Sequence, residues 1–288
     1  MSHYLLFYKE QIKDLGRMKA VLKKYTLTVV SIVSIAATLL WLFGLGWTLQ
    51  DQFSANKKVS QLKEKTESTS TEKQDGTLTI FALGDSLTRG TGDADGKGYT
   101  GYLTERLKEK TDQDINLLNT AIKGETSRGL LKQLQQSEIQ RQAKQADVIV
   151  MTIGGNDLFQ QGAALENLDN NAINGKKQIY LSNVKKIYTQ LRELNPDAVI
   201  YHVGLYNPFS NMPDSKTTSS IIRDWNFQSA ETAAGFNNIV YVPTFDLFQL
   251  QVENYLYTDQ FHPNTEGYKL IAERVASLIK FEQEENES

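Results

Sequence analysis

The feature that most constrains the fold is a regular alternation of short apolar segments with helix candidates. The apolar segments are rich in β-branched and aromatic residues, as β-strands are. Strand candidates cover residues 78–83, 115–118, 148–153, 198–203 and 239–242. Helix candidates cover residues 99–110, 128–144, 178–194, 219–234 and 265–279. Because right-handed crossovers place helices on both faces of a sheet, this order predicts a doubly wound sheet of five parallel strands.

A serine follows the first strand candidate. It lies in the sequence Gly84-Asp85-Ser86-Leu87, where the strand ends. In parallel α/β sheets the reactive groups collect at the carboxyl ends of the strands, near free backbone N–H groups. A serine hydroxyl is a weak nucleophile by itself, so catalysis by Ser86 needs a base, a carboxylate that orients the base, and donors for an oxyanion.

The chain has three histidines, so the candidates for the base are few. His3 precedes a predicted membrane span and is separated from Ser86 by it. His262 stands just before the last helix candidate, and Asp259 is three residues earlier, so one short turn can present both groups. His202 lies near the end of an apolar strand, which favours a packed histidine over a catalytic one. The sequence therefore predicts Ser86, His262 and Asp259 as a catalytic triad.

Two further residues at strand ends are candidate oxyanion donors. Gly124 follows the second strand, where a residue without Cβ lets its backbone N–H approach a ligand closely. Asn156 follows the third strand, and its carboxamide N–H can point at a developing oxyanion. Together with the backbone N–H of Ser86, they would form three donors at adjacent strand ends.

The motifs that hold Ser86, Gly124, Asn156 and His262 follow one another in this order along the chain. They resemble the sequence blocks of the GDSL or SGNH hydrolase family, and the resemblance covers residues 78–279. The resemblance implies a flavodoxin-like three-layer α/β/α sandwich and an esterase mechanism without metal or cofactor. It also implies that Ser86 is the nucleophile, that Gly124 and Asn156 help to form the oxyanion hole, and that His262 and Asp259 complete the triad. Residues 121–131 are similar to the lysophospholipase and thioesterase branch, and residues 204–209 resemble the YpmR-like membrane-anchored proteins of Gram-positive bacteria.

The N-terminal part predicts a membrane anchor. Residues 1–24 carry six lysine and arginine residues against two acidic ones, and residues 25–50 contain no charge, with Trp41 and Trp47 toward one end. This apolar run is long enough to span a bilayer, and the preceding basic tail predicts a cytoplasmic N-terminus and an extracellular domain. The alternative is a cleaved signal peptide, but the run exceeds the usual apolar region and no clear cleavage site follows.

The remaining organisation follows from composition. Residues 51–76 predict a polar linker, residues 77–281 the hydrolase domain, and residues 282–288 an acidic tail. The net charge of −3 for the whole chain becomes −7 for residues 25–288, which argues against a nucleic-acid partner. With no cysteine, the chain has neither a disulfide nor a lipid-attached N-terminal cysteine. Nothing in the sequence identifies a protein partner.

Apolar residues beside the predicted site suggest how a substrate binds. We expect the acyl-binding wall and a mobile cover to include Leu158, Phe159, Tyr206, Phe209 and Met212. The alternative is ordinary packing against the sheet edge. The predicted function is a membrane-anchored esterase that hydrolyses acyl esters of lipids, as a lysophospholipase does. Two alternatives stay open: an O-acetyl esterase for cell-wall polysaccharide, and a module that binds wall or lipid without catalysis.

Overall fold

A computed structural model describes Thr38, residues 76–159 and residues 169–281. Apart from Thr38 and Gly76, the predicted basic tail, membrane span and linker lie outside the described residues, as does the predicted acidic tail. Within the part of the chain that is described, no helix combines the length and the apolar character needed to cross a membrane. The fold below is that of residues 76–281.

Strands and helices alternate along the described chain. The strands are β1 (Thr77–Gly84), β2 (Asp114–Asn119), β3 (Val148–Thr152), β4 (Val199–Val203) and β5 (Ile239–Val242). The α-helices are α1 (Ser86–Arg89), α2 (Gly98–Lys108), α3 (Ser127–Gln133), α4 (Ser137–Gln145), α5 (Gly155–Phe159), α6 (Asn170–Leu194), α7 (Ser215–Ala234), α8 (Phe245–Gln249) and α9 (Thr265–Leu278). A 3₁₀ helix covers Val252–Tyr255.

The five strands form one parallel sheet in the order β2-β1-β3-β4-β5. In its centre Ile80 pairs with Leu117 on one side and with Val148 on the other. The prediction of a five-stranded parallel sheet is confirmed, and the strand order is that of flavodoxin-like proteins. All carboxyl ends therefore meet at one edge of the sheet, where Ser86, Gly124 and Asn156 follow β1, β2 and β3.

Each face of the sheet carries its own core, because alternate side chains of a strand point to opposite faces. Phe81 belongs to one apolar cluster and Ile80 to the other. The Phe81 cluster includes Leu130, Ile139, Val184 and Trp225 from α3, α4, α6 and α7. The Ile80 cluster includes Tyr99, Leu103, Tyr268 and Ile271 from α2 and α9. Helices thus cover both faces, which gives the three layers.

Two helix predictions need correction. The predicted helix 128–144 is two helices, α3 and α4, and the Gln140 side chain of α4 donates to the carbonyl of Leu134 in the turn between them. The predicted helix 178–194 begins earlier, at Asn170. This start lies inside residues 160–175, whose polar composition predicts an insertion before the helix. Asp169 caps this start by accepting a hydrogen bond from the Ala172 N–H. A polar first turn hides such a helix from apolar periodicity. Residues 160–168 of the insertion are not described.

Candidate active site

Ser86 is presented by a sharp transition from β1 to α1. Gly84 ends β1 at φ +118°, and a Cβ on it would lie 1.9 Å from the carbonyl oxygen of Thr152, so only glycine fits there. Asp85 is the N-cap of α1, and its Oδ1 accepts from the Leu87 N–H at 3.0 Å. Ser86 is therefore the first residue of the helix, at the edge of the sheet where the strands end.

His262 and Asp259 come from the loop before α9 and reach Ser86. The distance from His262 Nε2 to Ser86 Oγ is 2.8 Å, and that from His262 Nδ1 to Asp259 Oδ2 is 2.6 Å. The other carboxylate oxygen, Oδ1, accepts from the backbone N–H groups of Phe261 (3.0 Å) and His262 (2.9 Å). The structure thus brings the three predicted triad residues together in one hydrogen-bonded chain.

The electrostatics of Asp259 suit a carboxylate that stays charged. Partial burial acts to raise its pKa, but the hydrogen bonds from the His262 side chain and from two backbone N–H groups outweigh that effect. The pKa of Asp259 is therefore held below its usual value. A charged Asp259 favours the tautomer in which His262 carries its proton on Nδ1 and leaves Nε2 free to accept one.

Gly124 and Asn156 lie on the same cavity as Ser86. Gly124 stands in the turn after β2 at φ +80°, and Asn156 stands in α5, directly after β3. The Asn156 carboxamide donates one hydrogen bond to the carbonyl of Glu125, at 2.8 Å. This bond uses one of the two N–H groups of the carboxamide. Both predicted donors thus line the cavity that holds Ser86, and they come from two different strand ends.

The cavity has a volume of about 600 Å³, within the range of small-molecule sites. It is lined by Ser86, Lys123, Gly124, Asn156, Phe209, Met212, Asp259, Gln260, Phe261 and His262. Gln260 and Phe261 were not singled out from the sequence, although their position beside His262 was a signal that could have found them. Lys123 is a lining residue, whereas Arg89 is exposed and does not line the cavity.

The five predicted acyl-binding residues divide into three groups. Phe209 and Met212 line the large cavity. Phe159 and Tyr206 instead line a small cavity of about 20 Å³ that also touches Ser86. Leu158 belongs to the apolar core and lines neither cavity. The Phe159 ring packs edge-on against the Phe209 ring, with centroids 5.2 Å apart. The two rings are therefore in contact although they line different cavities.

Two buried polar residues, His202 and Asp85, lie outside the triad and have structural roles. His202 is buried, its Nδ1 lies 2.5 Å from the Tyr188 hydroxyl, and burial lowers its pKa to about 4, which confirms the packed interpretation. Asp85 is buried as well, and burial raises its pKa to about 7. Its Oδ1 also accepts from the Thr152 hydroxyl, at 2.7 Å, so Asp85 holds the serine turn to β3.

No cluster of three or more histidine, cysteine, aspartate or glutamate residues that could hold a metal ion occurs in the described ranges. Serine, histidine and aspartate in hydrogen-bond contact, beside backbone and amide N–H donors, are suited to acyl transfer. On a parallel α/β sheet, this arrangement defines the class of serine esterases and acyl hydrolases.

Residues 82–270 match the profile of the GDSL-like lipase/acylhydrolase family, and the chain belongs to this family. The family predicted from the four motifs is thereby confirmed. The protein is a carboxylic ester hydrolase of the GDSL type.

Individual relatives agree with this assignment. The chain is 34% identical over 228 residues to YpmR of Bacillus subtilis strain 168, covering 77% of this chain and 88% of YpmR. It is 30% identical over 210 residues to the spore germination lipase LipC of Bacillus licheniformis, covering 69% of this chain and 95% of LipC. The crystal structure of the lipase Lip_vut3 from a goat rumen metagenome superposes with a TM-score of 0.64 at 26% identity, over 69% of this chain and 96% of that one.

Proposed function

We propose that the protein hydrolyses acyl esters through an acyl-enzyme intermediate on Ser86, with His262 as general base and Asp259 as its orienting carboxylate. The observation that carries this proposal is the unbroken hydrogen-bond chain from Asp259 through His262 to Ser86, ending at a cavity of about 600 Å³. Such a chain activates a hydroxyl that would otherwise be a weak nucleophile.

The proposed reaction has two halves. Ser86 Oγ attacks the ester carbonyl while its proton passes to His262 Nε2, and the oxyanion is held by the N–H groups of Ser86, Gly124 and Asn156. His262 then gives this proton to the departing alcohol, which leaves an acyl ester on Ser86. Water, deprotonated by His262, attacks that ester and releases the acid, and the proton returns to Ser86.

We propose a lipid-derived acyl ester, such as a lysophospholipid or another fatty acyl ester, as the substrate. Phe209, Met212 and Phe261 give the cavity an apolar wall beside the serine, which suits an acyl chain. The chain's relative LipC, a spore germination lipase, supports the same substrate class.

We propose further that residues 25–50 anchor the chain in the cell membrane, with the hydrolase domain outside. This rests on the uncharged run and on the basic residues before it. Membrane fractionation of the full chain and of a chain lacking residues 25–50 tests it. Recovery of both chains in the same fraction would argue against an anchor.

A series of p-nitrophenyl esters from acetyl to palmitoyl, hydrolysed by the full chain, tests the function. The Ser86→Ala protein is the control. We expect a maximum rate at long acyl chains that is lost in the control. A maximum at acetyl would move the substrate to an acetylated wall sugar. Equal rates in both proteins, together with no fluorophosphonate label on Ser86, would leave a binding module as the better explanation.

A further inference from the structure

The two loops that carry the proposed oxyanion donors are tied to each other. Ser127 begins α3, three residues after Gly124, and Asp157 follows Asn156 in α5. The Ser127 backbone N–H donates to Asp157 Oδ2 at 2.9 Å, and the Ser127 hydroxyl donates to Asp157 Oδ1 at 2.5 Å. We call this pair of bonds the Ser127–Asp157 clasp. It joins chain segments that follow two different strands, β2 and β3.

Two neighbouring hydrogen bonds extend the clasp. The Asn156 carboxamide donates to the Glu125 carbonyl at 2.8 Å, so one donor is bonded to the residue directly after the other donor, Gly124. From α6, the Asn183 carboxamide donates to the Ser127 hydroxyl at 3.0 Å. Ser127 is fully buried, which shields its side of these bonds from bulk water, whereas Asp157 and Asn183 are half-buried.

The clasp is costly for the fold. Burial raises the pKa of Asp157, which means that the fold holds its carboxylate in a place unfavourable to charge, although the two bonds from Ser127 oppose this rise. The negative charge of Asp157 also acts to raise the pKa of the buried Asp85 beside the serine turn. Burying these two carboxyl groups at one edge of the sheet destabilises the fold, and packing of the core does not require either of them.

We propose that Asp157 and Ser127 are positioning residues of the esterase, and that their clasp fixes the Asn156 carboxamide relative to the Gly124 N–H before a substrate arrives. This inference rests on the proposed function above. Gly124 and Asn156 come from different strand ends, so their separation depends on what joins their loops. Donors held in advance stabilise an oxyanion without reorganising during the reaction. A displacement of one donor by about 1 Å is enough to cost on the order of a hundredfold in rate.

The test compares Asp157→Ala, Asp157→Asn and Ser127→Ala in the full chain. Each protein is assayed for kcat and KM on one p-nitrophenyl ester, for its affinity for a trifluoromethyl ketone that mimics the tetrahedral intermediate, and for its Tm. We expect Asp157→Ala to lower kcat by about ten- to a hundredfold and ketone affinity in parallel, with KM little changed, because only the transition state uses the oxyanion donors. Ser127→Ala keeps one bond, so we expect a smaller loss.

Asp157→Asn is the conservative rescue. Its amide oxygen accepts from the Ser127 N–H, and its NH₂ group donates to the Ser127 hydroxyl, so most of the activity should remain. Asn195→Ala is the matched control for lost stability. Asn195 is also buried, and its carboxamide bonds the carbonyls of Ala143 and Ala146 at the opposite edge of the sheet. We expect Asn195→Ala to lower Tm without changing kcat.

The outcomes separate the two levels of the argument. Hydrolysis that depends on Ser86 but keeps its kcat and ketone affinity in Asp157→Ala would overturn the positioning role alone. Hydrolysis that does not depend on Ser86 would overturn the proposed function, and the positioning role with it. If Asp157→Ala fails to fold, Ser127→Ala and Asp157→Asn decide. An unchanged kcat in both variants overturns the positioning role of the clasp. A lower kcat in Ser127→Ala, with most of the activity kept in Asp157→Asn, supports it.

Discussion

Replacing Asp259 by asparagine should harm the enzyme more than replacing it by alanine. Asp259 Oδ1 accepts from two backbone N–H groups, and only Oδ2 faces His262 Nδ1. In Asp259→Asn the amide oxygen must take the position that accepts those two bonds, so the NH₂ group faces the imidazole. A donor in that place forces Nδ1 to accept, which puts the histidine proton on Nε2. Nε2 then cannot receive the proton of Ser86.

The size of both effects follows from the contacts. Alanine removes a carboxylate that stabilises the imidazolium, an interaction of about 4 kcal/mol at an effective dielectric near 20. The Asp259 side chain is 39% exposed, so we reduce this to about 2–3 kcal/mol, or on the order of a hundredfold in kcat/KM. In Asp259→Asn, His262 regains the tautomer with its proton on Nδ1 only if the asparagine amide turns over. That rotation gives up the two hydrogen bonds from the backbone N–H groups. At about 0.5–1.5 kcal/mol each, these cost roughly a further factor of ten.

The assay is kcat/KM for a p-nitrophenyl ester at neutral pH for the unmodified protein, Asp259→Ala and Asp259→Asn. Thermal melting of all three proteins shows whether the loop and the fold survive. We expect both variants to fold, with Asp259→Ala the more active of the two. An Asp259→Asn protein as active as Asp259→Ala, or more active, would refute the argument that the two backbone N–H groups fix the orientation of residue 259.

Two further predictions concern the cavity and the serine turn. Met212 lines the cavity and is 45% exposed, so Met212→Ala should leave Tm unchanged. It should lower kcat/KM about three- to fivefold for long acyl esters but not for acetyl, because only a long chain loses apolar contact. Equal losses along the ester series would count against an acyl site there. Burial raises the pKa of Asp85 to about 7, whereas an unfolded aspartate titrates near 3.8, so the folded protein keeps a proton that the unfolded chain releases. Stability from this group should fall as pH rises from about 4 to 7, by up to about 4 kcal/mol. The Asp85→Asn protein can accept the same two hydrogen bonds on its amide oxygen. Its free energy of unfolding by denaturant should vary less between pH 4.5 and pH 8 than that of the unmodified protein. An equal pH dependence in both proteins would contradict the raised pKa.

The sequence predicted the parallel sheet and placed the candidate site residues at its carboxyl edge, because both depend on short-range patterns. Strands separated by helices leave few topologies open, and each of Ser86, Gly124 and Asn156 stands in the segment that follows its own strand. The Asp259 to His262 spacing is local as well, since one turn presents both groups. Whether these residues catalyse the reaction stays a prediction until Ser86→Ala is measured.

Other features required the packed molecule. The division of 128–144 into two helices and the polar start of α6 depend on side-chain hydrogen bonds that periodicity does not register. Phe159 and Phe209 line different cavities although their rings are in contact, and this contact joins segments that are distant in the sequence.

What the sequence by itself determined was the order of the elements and the chemical groups at the ends of the strands, since these are set by neighbours along the chain. What only the tertiary structure decided was which groups meet across that edge. Ser127 and Asp157 are 30 residues apart, and their contact exists because β2 and β3 flank β1 and end at the same edge of the sheet. Such distances are fixed by strand pairing and helix packing, and no local pattern in the sequence encodes them.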